Sequence, residues 1–560
     1  MVVRGWLKRK YLEAKEEERI ISDEMRKFTI GLTKRYVVLP VIKSIEELDI
    51  KYPLIFPFAY AHIHWDDKNK EVVYDVIEPE LSEEDKKVYE RIEIALTKII
   101  DVNLESLKDT KKTLDYIKTK TLYVMRELGI QLKAGQATRI LYYIYRNFVG
   151  LNKIEPIMHD PYIEDIGCDG VNVPIFLSHK KYGNIRSNII FESEDELKEF
   201  VVKLAERCGR YISYAEPLLD GSLPDGSRVQ ATLASDVTTR GPTFSIRKFR
   251  EIPYSPIDLI RLGTASSKVL AYLWFALEHN KNILIAGGTA TGKTSMLNAI
   301  VSFIPPEAKI VSIEDTRELN LYHDNWIPAV ARTGFGISGK EKRYGEVTMF
   351  DLLKESFRQN PDFVIVGEVR GVEASVLFQG MASGHTSLGT IHGGSVDDII
   401  KRLETPPIEL PPSLLETLDI IIVMQRAPQF GKSARRAREI AEIESIDPAT
   451  GKERINRVFT WSPISDSYEM HRSYVLEVIS TEFGMPMNEI MKELENREKF
   501  LNWLYEKKIF NFNEVCKYIS LYYKNKEKML KIIEEEKKKW KTKLLMFVNE
   551  EGNESKKREE

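Results

Sequence analysis

The stretch Gly287-Gly288-Thr289-Ala290-Thr291-Gly292-Lys293-Thr294 decides the fold. It fits G-x-x-x-x-G-K-[ST]. In that pattern glycines let backbone N–H groups close around phosphate oxygens, the lysine meets the β/γ charge, and the hydroxyl serves Mg²⁺. The flanks agree with this: Asn282–Ala286 is a short apolar strand ahead of the loop, and Ser295–Ile304 has helical spacing behind it. The helix N-terminus would add its dipole to the anion site. The bland alternative is a structural glycine-rich turn, and the strand–loop–helix order argues against it. Nucleotide contacts are therefore expected at Gly287, Gly288, Thr289, Ala290, Thr291, Gly292, Lys293, Thr294 and Ser295. Strands and helices then alternate up to about Arg426, which predicts a parallel α/β sheet.

Two later strands end in carboxylates. Lys309–Asp315 (KIVSIED) carries Glu314 and Asp315 at its C-terminal end, the edge a parallel sheet presents to ligands. Phe363–Val366 runs into Gly367-Glu368-Val369-Arg370, so Glu368 is placed to orient or deprotonate an attacking water. An ordinary P-loop ATPase would carry Asp at position 367. With Gly there, the Mg²⁺ candidates are Thr294, Glu314 and Glu368. Either glutamate could instead be a solvated strand end. His385 and His392 flank a small, β-branched run in Gly384–His392, where an imidazole could sense the γ-phosphate or bridge to a neighbour. No cysteine lies near them, so metal ligation by this pair is not expected.

The chain has 560 residues, three to four domains at roughly 150 each. Its 43% hydrophobic and 30% charged residues are globular composition. Eighty-two Lys plus Arg against 85 Asp plus Glu leave a net charge of −3, with no chain-wide attraction to nucleic acid. The three cysteines, Cys168, Cys208 and Cys516, are far apart and read as reduced thiols of a cytoplasmic chain. The richest apolar runs, Ile420–Met424 and Val269–Leu277, fall short of a membrane span, and the basic N-terminus lacks a signal-peptide apolar region. Any membrane association is expected to be peripheral, through a bound partner.

Ala59–Trp65 and Val72–Ile77, split by Asp66–Lys70, read as a β-hairpin, and Ser82 with Asp85 as a helix-opening capping box. Short strands Val173–Leu177, Asn188–Phe191, Val229–Leu233 and Thr243–Lys248 surround a helix over Ser193–Cys208. The expected organisation is an N-terminal extension of hairpin and helices over 1–150, an α+β domain over 151–251 and a linker over 252–256. An ATPase domain over 257–464, a helical C-terminal extension over 465–550 and a disordered tail over 551–560 follow. Glu534–Glu536 against Lys537–Lys539 reads as a solvated helical ladder.

The loop Gly287–Thr294, the segment IEDTREL (Ile313–Leu319), RQNPDFVIVGEVRG (Arg358–Gly371) and GHTSLGTIH (Gly384–His392) together resemble the type II/IV secretion ATPase superfamily. In order they match its Walker A loop, Asp box, unusual Walker B and His box. DPYIEDIGCDG (Asp160–Gly170), LPDGSRV (Leu223–Val229) and GPTFSIRKF (Gly241–Phe249) resemble the family's N-terminal domain, and RLETPPIELP (Arg402–Pro411) favours its archaeal branch. The resemblance is strong over about 150–465. It implies a RecA-like core, ATP and Mg²⁺, and a homohexamer. It also implies arginines of the N-terminal unit reaching a nucleotide site, with Arg228 and Arg247 the candidates and Arg240 and Arg250 weaker ones. The implied partners are a polytopic membrane platform protein and, indirectly, pilin-like subunits of a pilus, archaellum or secretion system. The rival is a RecA-like nucleic-acid-translocating ATPase, which would need a basic groove or stacking aromatics. No nucleic-acid partner is expected.

Overall fold

A computed structural model describes residues 28–32, 39–40, 44–100, 110–133, 135–249, 252–332, 334, 345–430, 434–446 and 453–536. The chain divides into two units, Met1–Phe249 and Arg250–Glu560.

The first unit is built on ten strands: β1 (Gly31–Leu32), β2 (Asp49–Phe56), β3 (Ala59–Asp66), β4 (Glu71–Ile77), β5 (Ile163–Cys168), β6 (Pro174–His179), β7 (Gly183–Ile190), β8 (Leu218–Ser222), β9 (Arg228–Thr232) and β10 (Thr243–Arg247). They lie in the order β1-β2-β3-β4-β7-β6-β5-β10-β9-β8. Period-2 burial along β3 (Ala59, Ala61 and Ile63 inward) makes it one arm of the expected hairpin, antiparallel to β4. The boundary expected at 150/151 is corrected here, because β4 pairs in parallel with β7 through Val73–Arg186 and Tyr74–Ser187. One apolar core runs from Phe28 to Ile246. Across that former boundary, the hydroxyls of Tyr52 and Tyr74 both donate to Oδ2 of buried Asp160, at 2.6 and 2.7 Å. The two capped helices form where expected: Glu83–Ile99 behind the Ser82–Asp85 capping box, and Glu194–Arg207 behind Ser193.

The second unit carries β11 (Ile283–Gly287), β12 (Ile310–Glu314), β13 (Trp326–Val330), β14 (Phe363–Val369), β15 (Thr386–His392), β16 (Ile420–Arg426), β17 (Arg435–Ile446), β18 (Glu453–Ser462) and β19 (Ser467–Met470). Their order is β13-β12-β14-β15-β11-β16-β17-β18-β19. The first six in that order pair in parallel, and β16 to β19 continue as an antiparallel ribbon. The boundary expected at 464/465 therefore falls within the β18–β19 hairpin. The expected linker is also partly structural: Ser255 and Asp258 form a buried capping box, and Pro256 is the first residue of the helix Pro256–Arg261.

The helix Ser267–Glu278 is buried all round from Val269 to Leu277, which explains its unbroken apolar run. Trp274 stacks on Phe303 at 5.2 Å between ring centroids and meets Phe500 and Tyr522 of the C-terminal helices at 5.7 and 4.9 Å. The helices Tyr474–Phe483, Met487–Glu506 and Phe512–Lys524 thus complete this unit's core. Among the described residues no helix is long and apolar enough to cross a membrane. Residues 1–27, Lys537–Lys539 and the tail 551–560 lie outside the described residues.

Candidate nucleotide site

The parallel register assembles the site at one sheet edge. Gly287, the last residue of β11, pairs with His392, the last of β15, and Ile313 of β12 pairs with Val366 of β14. The loop after β11 turns into the helix Lys293–Ile300, whose first turn holds Lys293, Thr294 and Ser295. Two glycines are required by the geometry. Gly292 caps that helix at φ 92°, and a Cβ on Gly287 would come within 2.7 Å of the Met424 carbonyl oxygen. Gly288, Thr289 and Ala290 form the exposed crest of the loop, and Thr291 Oγ1 ties it by donating to Gly288 O at 3.0 Å. Lys293 Nζ lies back over the loop and donates to the carbonyls of Gly287 and Gly288 at 3.2 and 3.0 Å. Burial lowers its pKa, against the opposing pull of Glu368 and Glu318.

Between β14 and β15 the register slips by one residue, Val366 facing Gly389 and Val369 facing Ile391. The extra residue is accommodated as a bulge at Gly367-Glu368, a device that re-aims a side chain. One oxygen of Glu368 is bound by Arg370, which also stands 3.8 Å from Asp315 Oδ2. His392 Nε2 stands 3.0 Å from the other oxygen, Oε1, but out of line for a hydrogen bond. Burial alone would raise the Glu368 pKa. Arg370 outweighs it, with smaller help from His392 and Lys293, so the carboxylate is held ionised below its usual range. Burial and Lys293 lower the His392 pKa, which favours the neutral imidazole.

Glu314 is a different kind of carboxylate. It is 1% exposed, and its Oε1 accepts the backbone N–H groups of Glu318 and Leu319 at 2.8 and 2.9 Å. Burial nevertheless pushes its pKa up to about 7. Position 367 is tight, since a Cβ would sit 3.1 Å from Glu314 Cγ and would have to push that side chain aside. Glu314 thus fills the space beside the strand position where an ordinary P-loop ATPase carries Asp. Glu314 Oε2 and Glu368 Oε1 are both buried without a hydrogen-bond partner. The orphaned oxygen of ionised Glu368, which Lys293 senses from the loop, fits a hydrated divalent cation, with Thr294 in the first turn of the loop helix and Glu314 the further candidates.

The other candidates lie elsewhere. His385 precedes β15 at the opposite end of the strand from His392, its ring 5.0 Å from Phe357 and Nδ1 3.2 Å from the Pro361 carbonyl. A seven-residue strand spans roughly 20 Å, so His385 is not brought to the phosphate loop of its own unit. Arg228 and Arg247 are cross-strand neighbours on β9 and β10 of the first unit. Arg228 pairs with Asp220 and Arg247 with Asp165, each at 3.0 Å. Arg250 lies outside the described residues. Two site residues went unassigned from sequence. Arg370 sat in plain view two positions after Glu368. Arg435 of β17, whose Nε donates to the Ala290 carbonyl at 3.2 Å, had no motif to mark it.

The sequence model of the family described as "Type II/IV secretion system protein" matches residues 155–499. An uncharacterized protein of Methanocaldococcus jannaschii is 35% identical over 534 residues, 90% of this chain and 95% of that one. The type IV secretion system protein PtlH of Bordetella pertussis is 33% identical over 276 residues, 43% of this chain and 79% of PtlH. Among solved structures, the VirB11 ATPase of the Brucella suis type IV secretion system, in complex with sulphate, aligns with 51% of this chain and 91% of its own. Its identity is 22% and its TM-score 0.26, too loose a likeness to carry weight. With a glycine-rich loop followed by two strand-end carboxylates in the parallel part of one sheet and a family match over more than half its length, the chain belongs to the type II/IV secretion system ATPase family.

Proposed function

We propose that the chain is an ATP-hydrolysing motor that works as a homohexamer at the cytoplasmic face of a membrane. It would drive a polytopic platform protein and, through it, pilin-like subunits of an archaeal pilus, archaellum or secretion machine. The observation that carries the catalytic part is the bulge at Gly367-Glu368, which turns an ionised carboxylate toward the strand edge shared with Lys293 and His392. Lys293 exchanges its bonds to the Gly287 and Gly288 carbonyls for the β- and γ-phosphates of ATP. Backbone N–H groups of the loop and the first turn of Lys293–Ile300 hold the remaining charge. Glu368 orients the attacking water and takes up its proton, with neutral His392 beside it. Thr294, Glu314 and Glu368 are the residues that would hold Mg²⁺, which when bound neutralises charge on the phosphate oxygens. Arg228 and Arg247 act on a nucleotide only if their Asp220 and Asp165 partners let go.

Turnover and nucleotide binding of variants test this. Lys293→Ala is expected to lose nucleotide binding, whereas Glu368→Gln keeps ATP within about threefold of the parent Kd and loses roughly 10²- to 10⁴-fold in kcat. Normal turnover by Glu368→Gln would sink the assignment. The partner claim is tested by purification from gently solubilised membranes. A multi-span platform protein should co-purify, and recovery of nucleic-acid proteins with DNA-stimulated turnover would replace this reading.

A further inference from the structure

The first unit carries a cluster that the nucleotide chemistry does not use. His62 and His64 are two residues apart on β3, so both point to the partly exposed face of the sheet. Cross-strand register sets Asp75 of β4 opposite His62, and Asp49 of β2 opposite His64. The side chains meet along the diagonals: His62 Nε2 lies 2.7 Å from Asp49 Oδ1 and His64 Nε2 3.0 Å from Asp75 Oδ2. The two imidazoles are 4.6 Å apart between centroids. One ligand atom from each of His62, His64 and Asp75 falls within 4.8 Å of the others.

We propose that His62, His64 and Asp75 form a binding site for a zinc-class divalent cation that clips β3 to β4. The donor set of two imidazoles and a carboxylate suits Zn²⁺ or its transition-metal neighbours and not the hard cations of phosphate sites. Hydrogen bonding prepares both rings. His64 Nδ1 faces the Trp65 carbonyl at 3.3 Å, so a proton there leaves the Nε2 lone pair aimed at the Asp75 carboxylate. In the metal-free chain a proton on that nitrogen closes the contact as a hydrogen bond, and a cation that displaces it finds a 3.0 Å separation close to the ~3.3 Å edge of a tetrahedron with ~2.0 Å bonds. Asp49 on His62 Nε2 leaves Nδ1 for the ion and supplies the outer carboxylate that commonly orients a ligating histidine. The charge opposing this arrangement is Lys51, in register with His62 and beside Asp49. Partial exposure, with His62 and His64 side chains at 21% and 29%, leaves room for a water as the fourth ligand.

Cobalt serves as the spectroscopic probe. The full chain is stripped with a chelator and titrated with Co²⁺ without nucleotide, and then with Zn²⁺. The expected result is visible d–d absorption saturating near one equivalent, bleached by Zn²⁺ and unaffected by excess Mg²⁺. Lys293→Ala should keep this signal, which separates the site from the phosphate loop. The near-isosteric Asp75→Asn and the variant His64→Gln should abolish it, and Asp49→Asn should weaken Co²⁺ binding about 10- to 100-fold, while circular dichroism and Tm of the metal-free variants match the parent. Absence of the absorption, or its persistence in the His62→Gln/His64→Gln chain, would overturn the site.

Discussion

At the scale of single residues, the site separates two carboxylates by environment. Glu368 has Arg370 on one oxygen and stays ionised, whereas Glu314 has only backbone donors and is held near neutrality by burial. The second fact has a pH consequence. Folded Glu314 keeps its proton up to about 7, and the unfolded chain releases it near 4.5. Between those values the folded state binds the extra proton. Stability therefore falls as pH rises through the window, and the penalty is complete above it. Replacing the acid by its neutral isostere removes the penalty. In the nucleotide-free protein, Glu314→Gln is expected to gain about 2–3 kcal/mol at pH 8 and only about 1 kcal/mol at pH 5.5. Urea midpoints at the two values measure it, and an equal gain at both would show that burial of charge is not the cause.

At the scale of elements, the helix Glu373–Ala382 packs closely against the residues ahead of β14. A Cβ on Gly380 would run into the Phe357 ring, which is itself held against His385. Gly380→Ala is expected to cost about 1–3 kcal/mol, and Phe357→Ala in the same chain to recover part of that, as chemical denaturation would show. This gives His385 a packing role, which the sequence pattern could not reveal. Pattern reading finds elements well where the signal is local. The strand before Gly287, the helix behind Lys293 and the caps at Ser82 and Ser193 all form as periodicity and hydrogen-bonding chemistry require. Glu314, Glu368 and His392 reach one edge because they end parallel strands in register with β11 or its neighbours. Strands β5 and β8 went unnoticed, since the polar and glycine positions of IEDIGC and LLDGS carry little β signal and their pairing partners are distant in sequence. Arg435 was invisible for the same reason, as it reaches the loop only through the antiparallel order of β16 and β17.

At the scale of the molecule, residues that motif reading set aside as extensions turn out to belong to the cores. Arg497 of the helix Met487–Glu506 is buried over Trp274 and Phe275, bound to Glu278 and to Glu493, the latter at 3.1 Å. Removing it takes a partner from partly exposed Glu278 and opens a gap beside Trp274, while Glu493 keeps Lys526 at 2.7 Å and the Tyr522 hydroxyl at 3.2 Å. Arg497→Ala is therefore expected to cost about 1–3 kcal/mol, from lost packing and lost charged hydrogen bonds, read as a drop in the Tm of the second unit, with a near-normal Tm disproving the docking role. This agrees with the family match running on to residue 499, beyond the motifs themselves. At the other end the match begins at 155, in the helix Glu155–Met158 between β4 and β5 of the ten-stranded sheet. A chain cut to start at Leu151 would lose β1 to β4 and leave the flank of β7, from Arg186 to Ser187, with open backbone donors and acceptors. An uncovered flank of that kind recruits another strand. Such a truncated protein is expected to self-associate through β7 and to run larger than its mass by light scattering, so β4 and the strands behind it act in part as a guard against unwanted pairing.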